Sequence, residues 1–156
     1  MAQQSIGRNV AKSRALSRAF PIKSGDNIVL RGRSWTNDYA PRHPEIVEDL
    51  KKLKAHSAVL DGELTFFKKE RDVFLTALAR PETKKGFTAK MMLFDVLFVG
   101  DDDVRDFPFE ERQKILRELV PKGLKHVEVV DSVEKVKEGY YKKLTEKLQG
   151  EGMVLK

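Results

Sequence analysis

The chain predicts an α+β fold in which antiparallel sheets pack against helices, and three features carry the prediction. Lys90–Val99 is an almost continuous apolar run broken by Asp95, the pattern of a strand buried on both faces. Ile46, Val47, Leu50 and Leu53, and again Ile115, Leu116 and Leu119, recur at helical spacing among charged residues. Ala19–Ile22 and Ile28–Arg31 are short strand-like segments on either side of Lys23-Ser24-Gly25-Asp26-Asn27, a polar, glycine-containing loop of hairpin length.

Taken in order, residues 1–18 are rich in Ser, Ala, Gln and Arg without a strand pattern and form an atypical leader. They read either as an organellar transit peptide or as a solvated, disordered tail. The hairpin follows. His43-Pro44 breaks the chain, and Pro44 suits the first turn of a helix running to about Ala55. Ala58–Phe67 is strand-like, with Asp61-Gly62-Glu63 in its middle. Lys68–Arg71 makes a charged turn, Val73–Leu78 a short helix or strand, and Pro81–Gly86 a loop. Gly100-Asp101-Asp102-Asp103 closes the long apolar strand as a solvated turn, because its acids lack the ligand spacing of a calcium loop. Pro108 precedes a helix over Phe109–Leu119, His126–Val130 is a strand, and Ser132–Gln149 is mostly helix. Asp131 and Glu134 stand at capping-box spacing there, and Gly139 weakens the middle. No internal repeat is visible.

A length of 156 residues suits one domain with a real core. No apolar run approaches the roughly eighteen residues of a membrane span, and the absence of cysteine excludes disulfides, thiolate metal sites and a cysteine nucleophile. The net charge of +6 resembles a nucleic-acid signal until it is located. Arg8, Lys12, Arg14, Arg18 and Lys23 stand in residues 1–25 without an acid, and the remaining 25 basic and 24 acidic residues nearly cancel. The body of the chain therefore offers no diffuse electrostatic argument for DNA.

The chemistry is in short strings. Two carboxylates in Asp61-Gly62-Glu63-Leu64 share a strand face, where burial demands a partner or a metal; a bulge at Gly62 with exposed acids is the plainer reading. Phe94-Asp95-Val96-Leu97 places an aromatic inside an apolar run, where core packing is the default. Asp95 either fixes the register of the strand or supports a neighbouring group. Glu151-Gly152-Met153-Val154-Leu155-Lys156 sets a carboxylate and a lysine at an odd strand offset. Arg31-Gly32-Arg33-Ser34 precedes a polar turn and His43-Pro44-Glu45-Ile46; alone, Arg33 is an ordinary exposed arginine at a strand end.

In this order and spacing the strings resemble the nucleotidyltransferase motifs of ATP-dependent DNA ligases, a superfamily shared with RNA ligases and mRNA capping enzymes. The resemblance covers Arg18 to Lys156. It departs from the usual family pattern at Gly32, commonly Ser, and at Ala40, commonly Thr. It implies a partial adenylylation domain of the ligase and capping-enzyme nucleotidyltransferase (ATP-grasp-like) fold over residues 19–156, and a larger enzyme carrying an OB-fold. Implied cofactors are ATP and Mg2+. Phe94 would stack on adenine, Glu63 would contact the ribose, Arg18 and Arg33 would line the nucleotide pocket, and Lys156 would face the α-phosphate. Glu63 and Glu151 would serve the metal. The implied partner is nicked double-stranded DNA, met by a monomer without a membrane, in cytoplasm or nucleoid.

The family nucleophile lies in Lys-x-Asp-Gly-x-Arg, a string absent from these 156 residues. With Arg18 as its arginine, the lysine position is Ser13; Lys12 is adjacent and reaches it only through a one-residue insertion. A third reading of the leader is therefore a start that is degenerate, truncated or translated out of frame. No residue here is assigned as catalytic, and the chain alone is expected not to adenylylate itself. The alternatives are an RNA ligase or capping guanylyltransferase relative, or an inactive remnant that binds nucleotide or nicked DNA.

Overall fold

The computed structural model describes residues 18–67 and 86–130 in full and, beyond them, the backbone of short strand segments at 4–5, 68, 71–73, 132–133 and 154–155. In chain order the elements are β1 (Gln4–Ser5), β2 (Arg18–Ser24), β3 (Asn27–Gly32), α1 (Pro44–Lys51), β4 (Ser57–Lys68), β5 (Arg71–Val73), β6 (Thr88–Val99), β7 (Asp102–Asp103), α2 (Phe109–Leu119), β8 (Val127–Val129), β9 (Ser132–Val133) and β10 (Val154–Leu155). Among the described residues seven strands form one sheet, ordered β3-β2-β4-β6-β7 with β5 on β4 and β8 on β6, and β10-β1-β9 form another. The α+β class stands.

The β2–β3 hairpin is tighter than the sequence suggests. Ser24 pairs with Asn27, leaving a two-residue turn at Gly25-Asp26. Gly25 has φ +59, so a side chain there would be strained, and glycine lets the strands continue where a five-residue loop was expected. Pro21 lies inside β2. It has no N–H to give, and the β2–β4 ladder runs through Arg18–Ala19 and Ile22–Ser24 while skipping Phe20 and Pro21.

One sheet face carries the core. Ala19, Leu30, Leu60, Leu64, Met91, Leu93 and Val96 are all but inaccessible, and Ile46 and Leu50 of α1 with Leu116 and Leu119 of α2 join them in one cluster. Fully burying one such aliphatic side chain contributes about 1.5–3 kcal/mol. Helix α2 spans the residues predicted for it. Helix α1 stops four residues short of Ala55, because Leu53 turns into the core and the Lys54 amide donates to Leu119 O at 2.9 Å, committing that backbone to α2.

Three further expectations are corrected. Strand β8 runs parallel to β6, so the main sheet is mixed rather than wholly antiparallel. Asp102-Asp103 is more than a turn, since it pairs back on Phe98 and Val99 as β7. Ser132 and Val133 are strand, paired with Ser5 and Gln4, where a helix was expected to begin; backbone pairing and a β-branched valine favour the extended form there. That pairing also places a strand within the leader. Residues 134–149, 74–85 and the Asp131–Glu134 capping pair lie outside the described residues. No helix among the described residues is long and apolar enough to cross a membrane.

Candidate functional site

Sheet register assembles the site. Gly32 of β3 pairs with Ala19 of β2, Ala19 with Gly62 of β4, and Gly62 with Leu93 of β6, so four strands share one row. One step along that row Arg18 pairs with Glu63 and Glu63 with Met92, while Arg33, exposed just past the end of β3, follows at the level of Arg18. Two of the predicted residues, Arg18 and Glu63, thus pair directly on adjacent strands, and Arg33 begins the turn that follows β3.

The glycines in the adjoining row are required by packing. A Cβ on Gly32 would stand 2.5 Å from Tyr39 Oη, and one on Gly62 would stand 2.5 Å from Met92 O.

Asp61 and Glu63 are each only 6% exposed, which rules out exposed acids around Gly62. Asp61 is neutralised by a fork from Arg18, with Nε donating to Oδ1 at 3.0 Å and Nη2 to Oδ2 at 2.5 Å. Hydrogen bonding to Asp61 raises the Arg18 pKa above its ordinary value. Burial opposes the rise, and the charges of Asp61 and Glu63 add to it. Arg18 therefore gives this otherwise acidic patch its counter-charge. The sequence alone did not reveal the pair, because the partners are 43 residues apart.

The bulge expected at Gly62 lies on the facing strand. Gly62 pairs with Leu93 and Asp61 with Asp95, leaving Phe94 as an extra residue, and a second shift between Val59 and Leu60 leaves Leu97 extra in the same way. Phe94 is half-buried, unlike Leu93, Asp95 and Val96 around it. Helix α2 fastens this irregular segment. Gln113 Nε2 donates to Phe94 O at 2.7 Å, Arg112 donates to both Asp95 oxygens at 2.9 and 3.1 Å, and Asp95 Oδ1 also accepts from the Val96 amide at 2.9 Å. Hydrogen bonding to Asp95 raises the Arg112 pKa, with burial opposing. Asp95 therefore ties the strand to the helix, a role that depends on a packing partner in another element.

A file of stacked groups leaves the site at Arg18. Its guanidinium lies 5.3 Å from the Phe20 ring centroid, and Phe20 stacks on Trp35 at 5.4 Å with 14° between planes. Lys12, Ser13, Glu151 and Lys156 lie outside the described residues. No cluster of three or more metal-binding side chains occurs among the described residues. Glu63 nevertheless offers the hard oxygen donor that magnesium takes, and this ion is commonly held by one or two carboxylates together with substrate phosphates and water.

Comparison with known proteins adds the context. A family model described as "ATP dependent DNA ligase domain" matches residues 17–156. A DNA ligase of Thermococcus onnurineus is 31% identical over 148 residues, covering 86% of this chain and 26% of the relative. "DNA ligase 2" of Thermofilum pendens is 28% identical over 110 residues, covering 65% of this chain and 18% of the relative. This chain thus spans about a quarter or less of the length of these curated relatives. The ligase domain of LigD from M. tuberculosis superimposes with a TM-score of 0.73 at 19% identity, over 99% of this chain and 47% of that one. At that identity the likeness establishes the shared fold.

Proposed function

Because residues 17–156 match its model, the chain belongs to the ATP dependent DNA ligase domain family, and we propose that it forms part of the adenine-nucleotide pocket of an enzyme that seals nicked double-stranded DNA through a lysyl-AMP intermediate. The observation that carries this reading is the bulge at Phe94, which sets a half-buried aromatic out of register beside the buried Asp61–Glu63 pair. A flat ring on a backbone fastened to α2 offers adenine large contact area with few side-chain torsions to freeze. In this reading Glu63 meets the ribose, Arg18 balances the charge of Asp61 and Glu63, Arg33 and Lys156 meet phosphate oxygens, and Glu63 with Glu151 holds Mg2+. The metal, when bound, neutralises phosphate charge so that the α-phosphorus accepts an amine. The domain works as a monomer on its DNA.

Titration of ATP with Mg2+ against the parent chain and Phe94→Ala tests the pocket. The variant is expected to bind at least about fivefold more weakly, since stacking of a base on an aromatic contributes about 1–3 kcal/mol. Equal affinities in two folded proteins would reduce Phe94 to packing and overturn the assignment. A second reading, a remnant that binds nucleotide or nicked DNA without reacting, is favoured by Ser13 at the nucleophile position.

A further inference from the structure

We propose that Trp35 is a stacking platform for DNA, taking the face of a base or deoxyribose while Arg31 meets a flanking phosphate; the proposal rests on the reading of nicked DNA as the partner. Trp35 is 53% exposed, an unusual position for the largest apolar side chain. It has φ +58, and among the described residues no other non-glycine residue has a positive φ. For a bulky residue this backbone is strained and persists only where the surroundings impose it.

The surroundings do impose it. The Trp35 amide donates to Gly32 O at 3.0 Å, the Gly32 amide to Asn37 O at 3.3 Å, and Arg31 Nη1 to Trp35 O at 3.3 Å, while the Ser34 and Thr36 hydroxyls are bonded at 2.8 Å. Phe20 stacks on the indole and is backed in turn by Arg18, so the ring is held in a fixed pose and extends the aromatic file away from Glu63. Covering Phe20 requires neither a left-handed backbone nor an exposed indole. Residues 31–37 contain two arginines and no acid, so the ring is framed by charge that complements a phosphate backbone. An aromatic face beside arginines accepts any base, as a nick of arbitrary sequence requires.

Trp35 is the sole tryptophan of the chain, so its emission reports on this position alone. A dye-labelled nicked duplex is titrated at low salt, with anisotropy measuring binding and tryptophan emission measuring contact. Binding is expected to quench Trp35, Trp35→Ala to weaken binding about 5- to 150-fold, and Trp35→Phe to weaken it less. Thermal unfolding of both variants checks that they fold. A rise in anisotropy with unchanged emission, or parental affinity in folded Trp35→Ala, would overturn the platform and leave the DNA partner standing. An absence of binding to the parent chain would overturn both. Quenching by ATP alone, with none from DNA, would overturn the DNA assignment and give the ring to the nucleotide.

Discussion

Gly62 is constrained from two directions. A Cβ there would collide with Met91 Cε and stand 2.5 Å from Met92 O; the methionine end can swing away, but the carbonyl belongs to the β6 backbone. Gly62→Ala is therefore expected to lower stability by about 1–3 kcal/mol, the range for overpacking a tight contact, as read by urea unfolding. An unchanged midpoint would mean that β6 shifts freely at its bulge. At this scale the sequence made part of the site legible. Glu63 and Phe94 stand in recognisable strings, each inside a segment read as a strand, whereas the pairing of those strands came only with the structure. Asp61–Arg18, Asp95–Arg112 and Phe94–Gln113 were not legible, because each pairing depends on elements docking across long stretches of chain. Trp35 was likewise hidden, since its left-handed backbone follows from hydrogen bonds made by Gly32 and Arg31.

Among elements, α1 is joined to the strand beyond α2 through one carboxylate. Asp49, nearly buried, accepts from Lys52 Nζ at 2.7 Å and from the His126 amide at 2.7 Å, just before β8. Burial alone would raise its pKa, but the two hydrogen bonds and the charges of Lys52 and His126 outweigh it and hold the group below its ordinary value. A depressed native pKa contributes stability above the unfolded value of about 4 and loses it as pH falls through the native value. Denaturant unfolding between pH 6 and 3 should show Asp49→Asn with a flatter acid loss than the parent; equal slopes would remove Asp49 from the tie. Asp49→Ala also leaves the His126 amide without its partner, at an expected cost of about 1–3 kcal/mol at neutral pH. Periodicity and proline made α2 legible to the residue, because local chemistry decides a helix of that kind. The direction of β8 was not legible, because parallel pairing is a property of the path between strands.

For the molecule as a whole, the described sheet presents candidate nucleotide contacts, whereas Lys-x-Asp-Gly is absent and Ser13 stands at the lysine position. A serine adenylate would be a phosphodiester, without the leaving-group chemistry of a phosphoramidate. Incubation with radiolabelled ATP and Mg2+ is therefore expected to leave the chain unlabelled. A label lost in Lys12→Ala would instead make Lys12 the nucleophile. The fold class was legible because two helices were strongly periodic and one long strand was an almost unbroken apolar run; the second sheet was not, because its strands are two residues each and draw on distant parts of the chain. The bulges in β6 have a further consequence for this sheet. One extra residue inverts the parity of a strand and would send every later core side chain to the wrong face. Phe94 introduces that inversion and Leu97, three positions on, cancels it, so Leu93, Val96 and Val99 all reach the core side although their spacing is three rather than two. Phe94-Asp95-Val96-Leu97 thus acts as a pair of compensating phase shifts, and deleting either end alone would put the remainder of the strand out of step. The interval between aromatic and leucine is a condition of folding before it is a condition of binding.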